Sequence, residues 1–165
     1  PEVMPWPIYG EPWQEQSVTT PPMILCVGTL EARKNHARLL DAAEILWAEG
    51  LSFRLEIVGR KRAKNENEIS DRVRSLAEGY GLPVAESLIR GKPCVCAGSG
   101  AVGEVAAGGG CLPVDVSSSE DLAAGIRSLL NNEELLADLQ KQAAERTWPT
   151  WTSWMDRIAG KAEAS

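Results

Sequence analysis

Residues 23–59 read MILCVGTLEARKNHARLLDAAEILWAEGLSFRLEIVG. Met23–Val27 is an unbroken apolar run of strand length, the pattern of a strand buried in a parallel sheet. It ends at Gly28 and the polar loop Thr29–Lys34. Asn35 is suited to cap the helix that follows. In that helix Leu39, Leu40, Ala43, Leu46 and Trp47 recur at helical spacing and are expected to be buried. Gly50 stops it. Phe53–Val58 then reads as a second strand, ending at Gly59 and the basic loop Arg60–Lys64. A strand, a helix and a strand in succession make one parallel unit with a crossover.

The alternation continues. A polar helix is expected from about Glu68, and a short helix over Pro83–Ile89 with proline in its first turn. Pro93–Ala97 and Cys111–Val114 read as strands. Ser119 is placed to cap a helix with Glu120 and Asp121 in its first turn; Leu122, Ile126 and Leu129 form its core face. Asn132 starts another, burying Leu135, Leu136 and Leu139. The tail carries an apolar stripe, Trp151, Trp154, Met155 and Ile158, read as core packing. Repeated strand–helix units imply an α/β fold, a Rossmann-like parallel sheet flanked by helices. Residues 1–22 hold six of the ten prolines and read as a linker into a domain spanning 23–165.

Composition narrows the function. The chain has 165 residues, enough for one compact core. Its formal charge of −6 argues against general nucleic-acid binding, which needs Lys and Arg to neutralise phosphates. Cysteines stand at 26, 94, 96 and 111 without a C-x-x-C pair, so buried thiols are favoured over a metal or redox site. Free thiols suit a reducing cytoplasm. The apolar runs fall well short of the roughly 20 residues of a membrane span. Pro1–Trp13 lacks the features of a signal peptide.

Two segments carry candidate chemistry. Ligands of parallel sheets bind beyond the carboxyl ends of the strands. Gly28 allows a tight turn at one such end, and Arg33 and Lys34 follow beside a helix start, where a diphosphate finds cations and a favourable dipole. A solvated basic turn remains the simpler reading of that segment taken alone. The second segment is Glu78-Gly79-Tyr80-Gly81-Leu82-Pro83-Val84-Ala85-Glu86. Its glycines permit close backbone approach. Its glutamates can each accept hydrogen bonds from vicinal hydroxyls, such as those of a hexose and a ribose.

The string EGYGLPVAESLIRGKPCV, residues 78–95, resembles the E-x7-E signature of the family-4 group of retaining glycosyltransferases. Other landmarks of that family match in order: Val27–Asn35, Ile57–Gly59, Gly103–Val105, Ser119–Leu122 and Trp148–Trp151. The resemblance implies a two-domain GT-B fold of which this chain is the C-terminal, donor-binding domain. It implies transfer of a sugar, with retention, from GDP-mannose or a UDP-sugar to a glycan or lipid-linked acceptor held by an N-terminal domain. Glu86 would hold ribose hydroxyls and Glu78 those of the sugar. Gly79, Tyr80, Gly81 and Leu82 would line sugar and diphosphate, and Lys34, with Arg33 beside it, would balance the leaving diphosphate. No metal or other cofactor is implied. A cytoplasmic enzyme is expected, with peripheral association at the inner face of the membrane left open.

Two departures accompany the resemblance. Thr29 stands where many relatives carry arginine. The interval Arg60–Ala77 is also too short for the two strands and helix that the family places before its signature. A discontinuity near Asp71–Ser75 is therefore expected, through deletion or a segment missing from the numbering. Rival readings are a sugar-nucleotide epimerase relative and a non-catalytic nucleotide-binding module. Gly98-Ser99-Gly100-Ala101-Val102-Gly103 matches the dinucleotide fingerprint literally, but Gly108–Gly110 break the helix that it should open. His36, the single histidine, reads as a surface or capping residue.

Overall fold

A computed structural model describes residues 20–30, 34–59, 82–149 and 152, 155 and 156. The elements run β1 (Met23–Val27), α1 (His36–Ala48), β2 (Arg54–Val58), α2 (Leu82–Ile89), β3 (Cys94–Ala97), α3 (Gly100–Ala106), β4 (Cys111–Val114), α4 (Ser119–Asn131) and α5 (Glu133–Glu145). β1 pairs parallel with β2, Met23 facing Arg54 and Val27 facing Val58. β3 pairs parallel with β4, Cys94 facing Cys111. The expected α/β architecture of parallel strands flanked by helices is present. Among the described residues it comprises two two-stranded sheets rather than one continuous sheet.

Alternation along the strands divides the core in two. Ile24, Leu55, Val95 and Val114 pack against Ala42, Ala43 and Leu46 of α1 and Leu122, Ala123 and Ile126 of α4. Cys94, Cys96 and Cys111 point the other way, toward Ala85 and Leu88 of α2, Val105 and Ala106 of α3, and Ala143 of α5. The β3–β4 sheet therefore has helices on both faces, as a parallel sheet needs. Gly125 lets α4 lie close on it: a Cβ there would come within 2.7 Å of a Val114 methyl.

The β1–β2 sheet differs. Met23, Leu25, Val27 and Val58 are 40%, 52%, 51% and 52% exposed. The expectation that Met23–Val27 is buried on both faces is thus corrected: α1 covers the Ile24 face, and the Leu25 face stands open. Within α1, Leu40 and Trp47 are exposed and Ala42 takes the core position. Trp47 stacks instead on Phe53, with ring centroids 5.2 Å apart.

Two caps also depart from expectation. Asn35 precedes α1 in a left-handed conformation and makes no side-chain cap. Its Nδ2 donates to the Val116 carbonyl at 2.6 Å. The cap of α4 is Ser118 rather than Ser119, its Oγ accepting from the Asp121 N–H at 3.1 Å. Ser119 is buried and donates to Asp41 Oδ2 at 3.4 Å. Ser118→Ala should cost about 1 kcal/mol in chemical denaturation. Ser119→Ala should cost less, because its bond is long and Asp41 is exposed to water; the reverse ranking would return the cap to Ser119. Asn132 caps α5 as expected, accepting from the Leu135 N–H at 2.9 Å. Leu139 is buried in α5, while Leu135 and Leu136 are half-buried.

These contacts set the polarity of the molecule. Asn35 and Asp41 near the start of α1 touch Val116 and Ser119 near the start of α4. At the far ends of the same helices, Arg127 Nε donates to Glu49 Oε2 at 2.7 Å. Helices α1 and α4 therefore run parallel, and the carboxyl ends of β1 and β4, which feed them, lie on one edge.

Candidate functional site

Gly28 leaves β1 at that edge, its N–H bonded to the Val58 carbonyl at 2.9 Å. Gly59 leaves β2 beside it, so close that a Cβ on Gly59 would fall on the Gly28 carbonyl oxygen. The chain then turns into α1 through Lys34. A Cβ placed on Gly28 would lie 3.9 Å from Lys34 Cδ and 3.9 Å from His36 Nε2. Gly28, Lys34 and His36 thus meet over one strand end. Arg33 lies outside the described residues, as do Arg60–Lys64 and the polar helix expected from Glu68.

Glu78, Gly79, Tyr80 and Gly81 also lie outside the described residues. The second half of the motif is described. Leu82 begins α2 and Pro83 follows in its first turn. A four-residue link joins α2 to β3, and Gly91 makes the turn at φ +64°. The helix packs back along that strand, so Leu82–Glu86 lie at the carboxyl edge, the same edge as Gly28. Ala85 and Leu88 are fully buried and fix the helix. Glu86 is on its exposed side. Arg90 Nη1 donates to the Glu86 backbone carbonyl at 2.8 Å. The structure thus gathers Gly28 and Lys34 at one point of this edge and sets Leu82 at the start of α2, with Glu86 one turn further along it.

The other candidates resolve structurally. In the glycine-rich segment, α3 is seven residues long and ends before Gly108. Gly103 is needed because a Cβ would lie 2.6 Å from the Gly98 carbonyl. Those glycines serve a tight strand–helix turn. All four cysteines are free thiols. The Cys94 thiol is held up, first by its hydrogen bond with Cys111 and then by burial, which disfavours a thiolate. No cluster suited to a metal ion occurs among the described residues. Nor is any helix among them long and apolar enough to cross a membrane. In the tail Met155 is exposed, whereas Trp151, Trp154 and Ile158 lie outside the described residues.

Two features differ from, or are absent in, what the sequence suggests. His36, expected at the surface or as a cap, instead turns its Nε2 inward, where it is buried without a hydrogen-bond partner. Arg146, directly after α5, donates through Nη1 to the Val105 and Gly109 carbonyls at 2.8 and 3.0 Å. Its guanidinium lies 4.5 Å above the Trp148 ring, clamping the α3–β4 turn to the last helix. A basic residue at a helix end was the available signal for Arg146. Nothing in the sequence pattern marked the inward turn of His36.

Parallel-stranded α/β domains take their ligands beyond the carboxyl ends of the strands, the edge at which Gly28, Lys34 and the start of α1 meet here. The model of the family "Glycosyl transferases group 1" matches residues 10–76 and 72–146, and the chain belongs to that family. The two matched stretches overlap at residues 72–76. Three sequences of the "Serotype-specific mannosyltransferase WbdA" of Escherichia coli are each 43% identical to this chain over 53 residues, covering 32% of it. That matched segment amounts to 6% of the relatives' own length.

Proposed function

We propose that this chain is the donor-binding part of a retaining hexosyltransferase that uses a nucleoside-diphosphate sugar. Membership of the group 1 glycosyltransferases carries the reading. The meeting of Gly28 and Lys34 at a strand end supports it, because departure of a nucleoside diphosphate builds negative charge that a fixed cation stabilises. Lys34 balances that charge, with Arg33 beside it. Glu86 accepts from the ribose hydroxyls and Glu78 from those of the sugar. Gly79, Tyr80, Gly81 and Leu82 line the sugar and diphosphate. The chemistry needs no metal. The match to a mannosyltransferase favours GDP-mannose over a UDP-sugar. The acceptor, a glycan or lipid-linked glycan, is held by a separate N-terminal domain on the cytoplasmic side, so the isolated chain is inactive.

We also read the junction at 72–76 as the loss of a segment. Sheets β1–β2 and β3–β4 share no hydrogen bonds among the described residues, and the Leu25 face of the first is open. A lost strand joining the two sheets and a helix on the open face would fill both gaps.

The test is nucleotide binding by the full-length protein. GDP, UDP and ADP, each with and without its sugar, are added during thermal unfolding. One base series should stabilise the protein, by about 2.7 kcal/mol at a hundred times Kd, and EDTA should leave the shift unchanged. If no nucleotide stabilises the protein, it is a scaffold module.

A further inference from the structure

His36 occupies the first position of α1, directly over the strand end that the proposed donor site uses. Buried polar atoms are nearly always hydrogen-bonded, and an orphan calls for a reason. His36 Nε2 is such an orphan. Its surroundings are specific. The point 3.9 Å from it, where a Gly28 side chain would begin, is also 3.9 Å from Lys34 Cδ and 4.0 Å from Lys34 Cγ. With no side chain on Gly28, the space above its Cα is bordered by the imidazole nitrogen and the lysine stem, both at ordinary contact distance from a Cβ built there. The lysine stem is flexible and shifts as its ammonium engages an anion. Imidazole also carries a donor that a phosphate oxygen accepts from.

We propose that His36 is a donor-binding residue, its Nε2–H hydrogen-bonding a diphosphate oxygen that seats over Gly28 beside Lys34. The assignment rests on the nucleotide-sugar reading above and adds to it a residue that discriminates diphosphates from nucleosides. A packing histidine would need no oxygen at Gly28 and would not care which nucleotide is present.

The test measures binding of a nucleoside diphosphate (GDP or UDP, whichever binds) and of its parent nucleoside to the full-length protein by calorimetry. His36→Leu should weaken diphosphate binding roughly tenfold, the scale of a hydrogen bond to a charged group, with nucleoside binding unchanged. His36→Gln, which restores an N–H near the same place, should recover most of the loss. Gly28→Ala supplies an independent arm. Its methyl meets only ordinary contact distances, so the protein folds, but the seat for the oxygen is filled and diphosphate affinity falls. Unchanged diphosphate binding in His36→Leu, alongside a loss in Lys34→Ala, would overturn the His36 assignment and leave the donor reading standing. Equal loss of nucleoside and diphosphate in His36→Leu would overturn it in favour of packing. If the wild-type protein binds no nucleoside diphosphate, the donor reading fails and the His36 assignment fails with it.

Discussion

Replacing Lys34 with alanine in the full-length protein is expected to lower kcat by roughly a hundred- to a thousand-fold, the range for removing a preorganised charge partner from a transition state. On the donor-site reading, the diphosphate gains charge as the glycosidic bond breaks, so the ammonium counts for more in the transition state than in the ground state. The loss should therefore fall mainly on kcat and less on KM. Glu86→Gln should behave differently. Glu86 lies on the exposed side of α2, in its second turn, and its proposed partners, the ribose hydroxyls, gain no charge during transfer. Uniform binding of that kind appears in KM, with a rise of about tenfold and little change in kcat. The two variants together distinguish a charge-balancing group from a gripping group. If Lys34→Ala raised KM and left kcat alone, Lys34 would be a binding residue only. If both variants kept wild-type kinetics, the site would lie elsewhere.

The sequence was most readable where short-range rules act alone. Gly50 and Gly91 end their helices at φ +86° and +64°. The strands at 94–97 and 111–114 follow from brief apolar runs between breakers, and Asn132 caps α5 as its position suggests. Reading failed where a distant group takes over a local role. Asn35 has the chemistry of a cap, but Val116, 81 residues away, claims its side-chain amide. Ser118 and Ser119 are equally good caps on paper; burial of Ser119 against Asp41 leaves the role to Ser118. An apolar run such as Met23–Val27 cannot say whether its second face is covered, because that depends on which other elements are present. The site was half legible for the same reason. Gly28 and Lys34 are near neighbours in sequence and could be paired from it. That His36 Nε2 turns inward over Gly28, instead of toward solvent, depends on packing that one histidine at a helix start does not encode.

Gly59→Ala should be the most damaging single-methyl addition among the described strand ends. The added Cβ would fall on the Gly28 carbonyl oxygen, which is backbone and cannot rotate away as a side chain can. Gly28 is itself held by its N–H bond to the Val58 carbonyl, so relief of the clash must part β1 from β2. Overpacking of this kind costs about 3 kcal/mol. Gly50→Ala provides the comparison. Gly50 has φ +86°, but a Cβ there would meet no heavy atom within 4 Å, so only left-handed strain opposes the methyl, about 1 kcal/mol. Chemical denaturation of both variants separates the terms: the difference between them measures the close approach of the strand ends. Donor affinity should follow stability only at Gly59, because displacing Gly28 also displaces the point where Lys34 and His36 meet. Equal destabilisation by the two substitutions would mean that the strand ends stand further apart than the Gly28–Gly59 contact requires, and that the proposed diphosphate seat has no fixed floor.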